Sequence, residues 1–195
     1  MELLPNMKDQ FTNEKYWNDL FENRTTNIPG DKFLLNDIKY LKNGKLLEVG
    51  AGEGRNTKIF LENGFEITSI DFSKIGIEKM KERYSNYKIK VLQMDLKKKF
   101  DILQDCIYDS IVIIHSFLSI EIFMKLYKML NIDGTIYINT FLKESVDKNT
   151  SKYSVSISEK EVNKIEQMGK VLLKEQIKQE NGIITRIVLS TVSGA

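Results

Sequence analysis

The sequence predicts an α/β fold: a doubly wound, mostly parallel seven-stranded sheet with an antiparallel C-terminal hairpin and an N-terminal helical cap. Three observations predict it. From Gly44 onward, short apolar runs alternate with amphipathic helical patterns, as strand–helix–strand units require. The first of these runs opens into a glycine-rich turn, Gly50-Ala51-Gly52-Glu53-Gly54, ahead of a helical pattern. Near the end, Asn181-Gly182 separates two apolar runs, a strong hairpin signal because both residue types accept the positive φ angles of a tight turn.

The elements follow in order. At 195 residues the chain is long enough for one full domain, divided here into an extension or lid over residues 1–43 and a core over residues 44–195. The extension reads as two helices. The first carries Phe11, Tyr16, Trp17, Leu20 and Phe21 on an aromatic face. Pro29-Gly30 breaks the pattern, and Asp31 then caps a second helix with Phe33, Leu34, Ile38 and Leu41 on one side.

In the core, the first strand is Lys45–Val49, and its helix runs from near Gly54 to Gly64, a glycine suited to the left-handed position after a helix. The second strand, Glu66–Ile70, ends at Asp71, and Ser73 caps a helix to about Tyr84. The third, Lys88–Met94, ends at Asp95. The fourth, Asp109–Ile114, is rich in β-branched residues, as a strand covered on both faces should be. Ser119 opens a helix to Leu130, and Asp133-Gly134 turns the chain into the fifth strand, Thr135–Phe141. Residues Lys143–Tyr153 read as a polar loop, and Ser158-Glu159-Lys160-Glu161 as a capping box. The last strands span about Val171–Gln176 and Ile183–Thr191.

Composition narrows the function. A net charge of +2 gives no case for nucleic acid or an anionic membrane, and Lys97-Lys98-Lys99 reads as a solvated loop. One cysteine, Cys106, and one histidine, His115, argue against an intrachain disulfide and a Cys/His metal site. The N-terminus does not read as a signal peptide, and no stretch approaches ~20 apolar residues, so a cytoplasmic protein is expected.

The chemistry lies at the strand ends. The glycine turn lets the backbone bend sharply and approach a ligand at the carboxyl edge of the sheet. A dinucleotide fingerprint would need glycine at position 55, where Arg55 stands, and no Gly-Lys-Ser/Thr follows to make a phosphate loop. The acids decide the matter. Glu48, before Gly50, repels a pyrophosphate and suits a cationic ligand. Asp71 is placed to accept ribose hydroxyls, and Asp95 to accept an adenine amino group. Each acid alone has a structural reading as a helix cap or a solvated group; three in register with one glycine turn form an adenosine-shaped site.

These residues resemble a known family. Leu47-Glu48-Val49-Gly50-Ala51-Gly52-Glu53-Gly54 resembles the first motif of class I S-adenosylmethionine (SAM)-dependent methyltransferases. Ile70-Asp71-Phe72-Ser73 resembles their second motif, and Gln93-Met94-Asp95-Leu96 their adenine-contacting turn. Gly52-Glu53-Gly54-Arg55-Asn56, Glu62-Asn63-Gly64-Phe65-Glu66-Ile67 and Asp71–Lys79 are similar to the tellurite-resistance methyltransferases, small one-domain enzymes. So is the start, where Tyr16-Trp17 leads through Ile28-Pro29 to Phe33-Leu34. The resemblance implies a Rossmann-like fold and SAM as cofactor. Glu48, Gly50, Ala51 and Gly52 would then lie at the methionine part, Asp71 and Phe72 at the ribose and one adenine face, and Met94, Asp95 and Leu96 around adenine. Ile114, His115 and Ser116 would lie near the sulfonium, with Asn56 facing the turn. Tyr16, Trp17 and Ser116 fall on the acceptor side, and His115 is the candidate acid–base residue. It also reads as a packing residue, as Cys106 does.

The expected acceptor is a small molecule, with a soft thiol, selenium or tellurium nucleophile as the candidate that the resemblance implies. Three rivals remain in view. A nicotinamide oxidoreductase is opposed by Glu48 and Arg55. A DNA amino-methyltransferase would resemble its family in an Asp/Asn-Pro-Pro-Tyr/Phe motif, where this chain has Ile114-His115-Ser116-Phe117. A non-catalytic SAM-binding regulator is not separable by sequence. Neither nucleic acid nor membrane is expected as a partner, and the chain is read as a monomer or homodimer.

Overall fold

The computed structural model describes residues 13–25, 28–103, 105–117 and 119–191. Phe11, placed by its spacing on the first helix, lies outside them. Seven strands form one sheet: β1 (Lys45–Val49), β2 (Glu66–Asp71), β3 (Lys90–Gln93), β4 (Tyr108–Ile114), β5 (Leu130–Phe141), β6 (Lys170–Gln179) and β7 (Gly182–Ser190). Their order is β3-β2-β1-β4-β5-β7-β6. All pairs are parallel except those of β7, which runs antiparallel to both β5 and β6. The chain reverses its direction of travel across the sheet between β1 and β4, and the carboxyl ends of those strands flank the crevice where such folds bind ligands.

Two apolar layers cover the sheet because strand side chains alternate between faces. Leu47, Ile111, Ile113, Ile136 and Ile138 face one layer, completed by Phe123 and Leu126 of α5 (Ile120–Tyr127) and by Val162 and Ile165 of α7 (Glu159–Glu166). Leu46, Val112, Ile114 and Tyr137 face the other, which is filled by Leu34, Ile59 and Phe60. The β-branched run of β4 therefore feeds both layers, as a strand covered on both sides must. Fully burying a side chain such as Phe60 or Leu34 stabilises the fold by about 1.5–3 kcal/mol.

Helix starts follow their caps. The Ser73 hydroxyl accepts the Gly76 N–H at 3.1 Å and opens α4 (Lys74–Arg83). Ser119 opens α5 in the same way, and Ser158 with Glu161 forms the capping box of α7. The helix after the glycine turn, α3 (Thr57–Glu62), begins later than its apolar pattern suggests, because Gly50, Gly52 and Gly54 all hold positive φ and use those residues as a turn. Strand β3 is shorter than the apolar run, as an edge strand with only one partner can be. Strand β5 begins at Leu130, earlier than expected. Leu130 pairs with Tyr108 before the register shifts to Thr135 opposite Ser110, and Asp133 takes a φ of +57° within that irregularity. The polar loop holds a 3-10 turn (Lys143–Ser145) and the short α6 (Ser151–Ser154).

In the extension, α1 (Glu14–Glu22) lies along α4. Asn18 Oδ1 accepts the Ser73 hydroxyl at 2.6 Å and the Ile75 N–H at 3.2 Å. The Lys79 ammonium donates to the Phe21 and Arg24 carbonyls at the end of α1, where a cation suits the helix C-terminus. The second expected helix is a single turn, α2 (Leu34–Asp37), that tightens into a 3-10 turn (Ile38–Tyr40). Buried Asp37 fastens it by accepting from the Tyr137 hydroxyl at 2.9 Å and pairing with the buried Arg186 of β7, which also meets Glu175. Among the described residues, no helix is long and apolar enough to cross a membrane.

Candidate active site

The glycine turn lies at the carboxyl end of β1. The N–H groups of Gly50 and Ala51 both donate to the Ile70 carbonyl, at 2.9 and 3.0 Å, tying the turn to β2. A Cβ at Gly50, with φ +68°, would stand 2.2 Å from the Ser116 side chain, and one at Gly52 would stand 2.7 Å from the Phe21 ring. Only glycine fits a backbone crowded in this way and held left-handed.

Two of the three strand-end acids are bound into this turn. Asp71 accepts the Gly52 N–H and the Ser73 N–H, each at 2.8 Å. Burial pushes its pKa up to about 6 despite these donors. Glu48 lies beneath the turn, with one carboxylate oxygen accepting the Thr57 and Ser69 hydroxyls at 2.7 and 2.8 Å. Its other oxygen is buried with no hydrogen-bond partner among the described residues, and burial pushes its pKa up to about 7. Asp95 sits at the more open end of β3 and accepts the Lys97 N–H at 3.0 Å.

A cavity of about 800 Å³, measured out to its open mouth, lies over the turn. Gly50 and Asp71 form its floor, and Phe72, Met94, Asp95 and Leu96 line the β2–β3 side. His115, Ser116 and Trp17 line the other side. These nine residues, all expected at the site, meet in one space.

Six others do not line it. Glu48 supports the turn from below. Ala51 packs on Met80 and Tyr84, and Ile114 points into the opposite apolar layer. The Gly52 N–H is committed to Asp71. The Asn56 side chain accepts the Asp31 N–H at 2.8 Å instead of facing the turn's open side. Tyr16 is also displaced: it borders a separate shallow groove with Asp19, Leu20, Asn23 and Arg24, although its ring meets that of Trp17 edge-on with centroids 5.4 Å apart.

Residues 41–184 match the model of a family described as a methyltransferase domain. The chain belongs to this methyltransferase family. The donor that its strand-end motifs imply by resemblance is S-adenosyl-L-methionine. Among curated proteins, the methyltransferase is similar to the eEF1A lysine and N-terminal methyltransferase homolog of Drosophila melanogaster. The two are 35% identical over 104 residues, covering 49% of this chain and 16% of that protein. The matched part is thus a small share of that relative's length.

Among solved structures, TehB from Haemophilus influenzae superposes with a TM-score of 0.67 at 17% identity, covering 91% of this chain and 66% of that one. The N-methyltransferase NodS from Bradyrhizobium japonicum, in complex with S-adenosyl-L-homocysteine, gives 0.65 at 12% identity, covering 95% and 96%. At identities this low the likeness carries the fold.

The methyltransferase site fits that donor by its own features. The glycine cradle would be filled by any Cβ, a buried carboxylate ends β2, and the apolar side chains of Phe72, Met94 and Leu96 line the cavity beside it. Several lining groups were not singled out by sequence motifs. Phe21 packs against Gly52, and Lys97, Ser154 and Val155 also line the cavity, the last two from the far end of the polar loop. Asp31, expected only as a helix cap, keeps that role toward Phe33 and Leu34 and also reaches His115. No local spacing announces such partners, because they come from segments far apart in sequence.

Proposed function

We propose that the chain transfers a methyl group from S-adenosyl-L-methionine to a small-molecule acceptor bound between Trp17, His115, Ser116 and the 154–155 segment. The observation that carries this reading is the cavity itself, whose lining brings Gly50 and Asp71 together with Trp17, His115, Ser116 and Val155. Asp71 would hold the ribose hydroxyls, Phe72, Met94 and Leu96 the adenine faces, and Asp95 the adenine amino group. When bound, the donor supplies a methyl already activated by its sulfonium charge. The remaining task of the protein is to place the acceptor atom about 3–3.5 Å from that methyl and exclude water.

Helix α1 serves in this reading as the lid over residues 44–195. Trp17 and Phe21 cover the cavity, and Asn18 and Lys79 latch the helix to the core. The resemblance of residues 52–79 to the tellurite-resistance methyltransferases supports a small acceptor and places thiols, selenite and tellurite among those to test.

Formation of S-adenosylhomocysteine over a panel of thiols, selenite, tellurite, amines and phenols tests the proposal. Tight SAM binding with no turnover on any acceptor would favour a SAM-binding regulator. A protein acceptor is the second reading, favoured by the relative named as an eEF1A lysine and N-terminal methyltransferase homolog. Methyl incorporation into purified eEF1A, in preference to every small molecule, would establish it.

A further inference from the structure

At the tip of β4, Asp31 Oδ2 lies 3.5 Å from His115 Nε2. That is long for a hydrogen bond, but catalytic contacts often tighten only when substrate is bound. The other Asp31 oxygen is fully engaged. It accepts the Phe33 N–H at 2.9 Å, the Leu34 N–H at 3.3 Å and the Asn139 amide at 3.0 Å. Asn139 holds His115 as well, since its backbone carbonyl accepts the His115 N–H at 2.8 Å. The imidazole stacks on Phe141 with ring centroids 5.5 Å apart.

His115 also has a φ of +50°, in a region that residues other than glycine seldom adopt and where strain marks functional positions. Burial by itself raises the Asp31 carboxyl, but His115 and the two backbone N–H groups outweigh it, so Asp31 lies below its ordinary range and stays anionic at neutral pH. An anion facing Nε2 fixes the neutral ring's proton there and leaves the lone pair on Nδ1. That nitrogen is buried with no hydrogen-bond partner among the described residues, a condition that folded proteins seldom leave uncompensated. His115 lines the cavity, so an entering acceptor is the partner at hand once it parts the side chains enclosing Nδ1.

We propose that Asp31 and His115 form an acid–base dyad and that the methyl acceptor is a hydroxyl compound of phenol-like acidity, not a pre-ionised soft nucleophile. The proposal rests on the methyltransferase site described above. His115 Nδ1 takes the acceptor proton while the acceptor oxygen's electron pair forms the new O–C bond to the methyl. The S–C bond breaks with its pair remaining on sulfur, which leaves as a neutral thioether, and the imidazolium later returns its proton to solvent. Asp31 is the positioning residue: it orients the ring and stabilises the imidazolium. A pre-ionised thiol, selenol or telluride would need no such base. A neutral hydroxyl also enters without repulsion, whereas an ammonium would meet the cationic donor and Lys97 of the cavity lining.

Two measurements test the dyad. His115 is the single histidine of the chain, so its nitrogen-15 imidazole spectrum is unambiguous. The neutral ring is expected as the Nε2–H tautomer. Asp31→Asn keeps an oxygen for the Phe33 and Leu34 N–H groups, removes the charge, and is expected to abolish that preference. Methyl transfer is then compared between phenol and para-nitrophenol, the second being largely ionised near neutral pH. The phenol-to-nitrophenol rate ratio is expected to fall about 100-fold in His115→Asn and about 10-fold in Asp31→Asn. An Nδ1–H tautomer in the wild type, an unchanged ratio, or wild-type transfer to thiols or amines but to no phenol would overturn the dyad. Failure to bind SAM in calorimetry would instead overturn the site on which it rests.

Discussion

The proposed donor side and the proposed acceptor side of this cavity are built in different ways. The donor side is local. Glu48, Gly50, Gly52, Asp71 and Asp95 lie within a few residues of the carboxyl ends of β1, β2 and β3, and parallel pairing of those strands brings them together. The acceptor side is assembled from distant pieces: Trp17 from α1, Asp31 from the loop before α2, His115 from the tip of β4, and Ser154 and Val155 from the end of α6. The contrast teaches where each half is vulnerable. The donor side depends on backbone space and buried carboxylates. The acceptor side depends on long-range fasteners that keep the extension on the sheet.

The largest expected effect therefore comes from a fastener. Asp37→Ala leaves Arg186 buried without its carboxylate and should destabilise the fold by about 3–5 kcal/mol, measured by urea unfolding. A loss under about 1 kcal/mol would mean that the extension is not held by this pair. Next is the donor cradle. Gly50→Ala sets a Cβ against Ser116 in a left-handed backbone, at a cost of about 2–5 kcal/mol from strain and overpacking together, and it should abolish SAM binding in calorimetry.

The buried acids supply a pH test. Glu48 titrates near 7 and Asp71 near 6 in the folded state, both above their ordinary values. The stability that they contribute is present below their unfolded pKa values and lost as pH rises from there through 6–7. Thermal unfolding of the cofactor-free protein should show a loss over that window. Glu48→Gln should reduce that loss by roughly 3 kcal/mol, since each tenfold change in proton affinity is worth about 1.4 kcal/mol. Equal pH profiles for the two proteins would contradict the buried acid. A cationic donor favours the ionised carboxylates, so binding near pH 6 should release protons to the buffer.

Asp71→Ala removes charged hydrogen bonds of about 1.5–3 kcal/mol each and should weaken SAM binding about tenfold or more. Unchanged affinity in a folded variant would displace the proposed pocket. The smallest effect belongs to the contact that holds α1 on the start of α4. Asn18→Ala removes the acceptor of the Ser73 hydroxyl and the Ile75 N–H and should cost about 0.5–2 kcal/mol, seen as faster proteolysis within α1. Protection equal to wild type would show that other contacts hold the helix closed.

Read along the chain, the amino-acid sequence by itself determined the sheet, its final hairpin, the helix caps and the strand-end residues that meet at the cavity. Each of these depends on short-range physics: side-chain alternation, turn chemistry, and acids placed at strand ends. It separated Trp17 from Tyr16 poorly, because both sit on an aromatic helix face and only packing shows which one reaches the cavity. It placed Glu48 and Asn56 at the turn but did not show that their polar atoms are consumed by Thr57 and Ser69 in one case and by Asp31 in the other.

Tertiary structure alone decided that Asp31 meets His115, that Asp37 meets Arg186, and that Ser154 and Val155 line the cavity. In each case the partners are separated by whole elements. Their meeting follows from how the extension and the 143–155 segment fold back over the sheet edge, which no local pattern encodes.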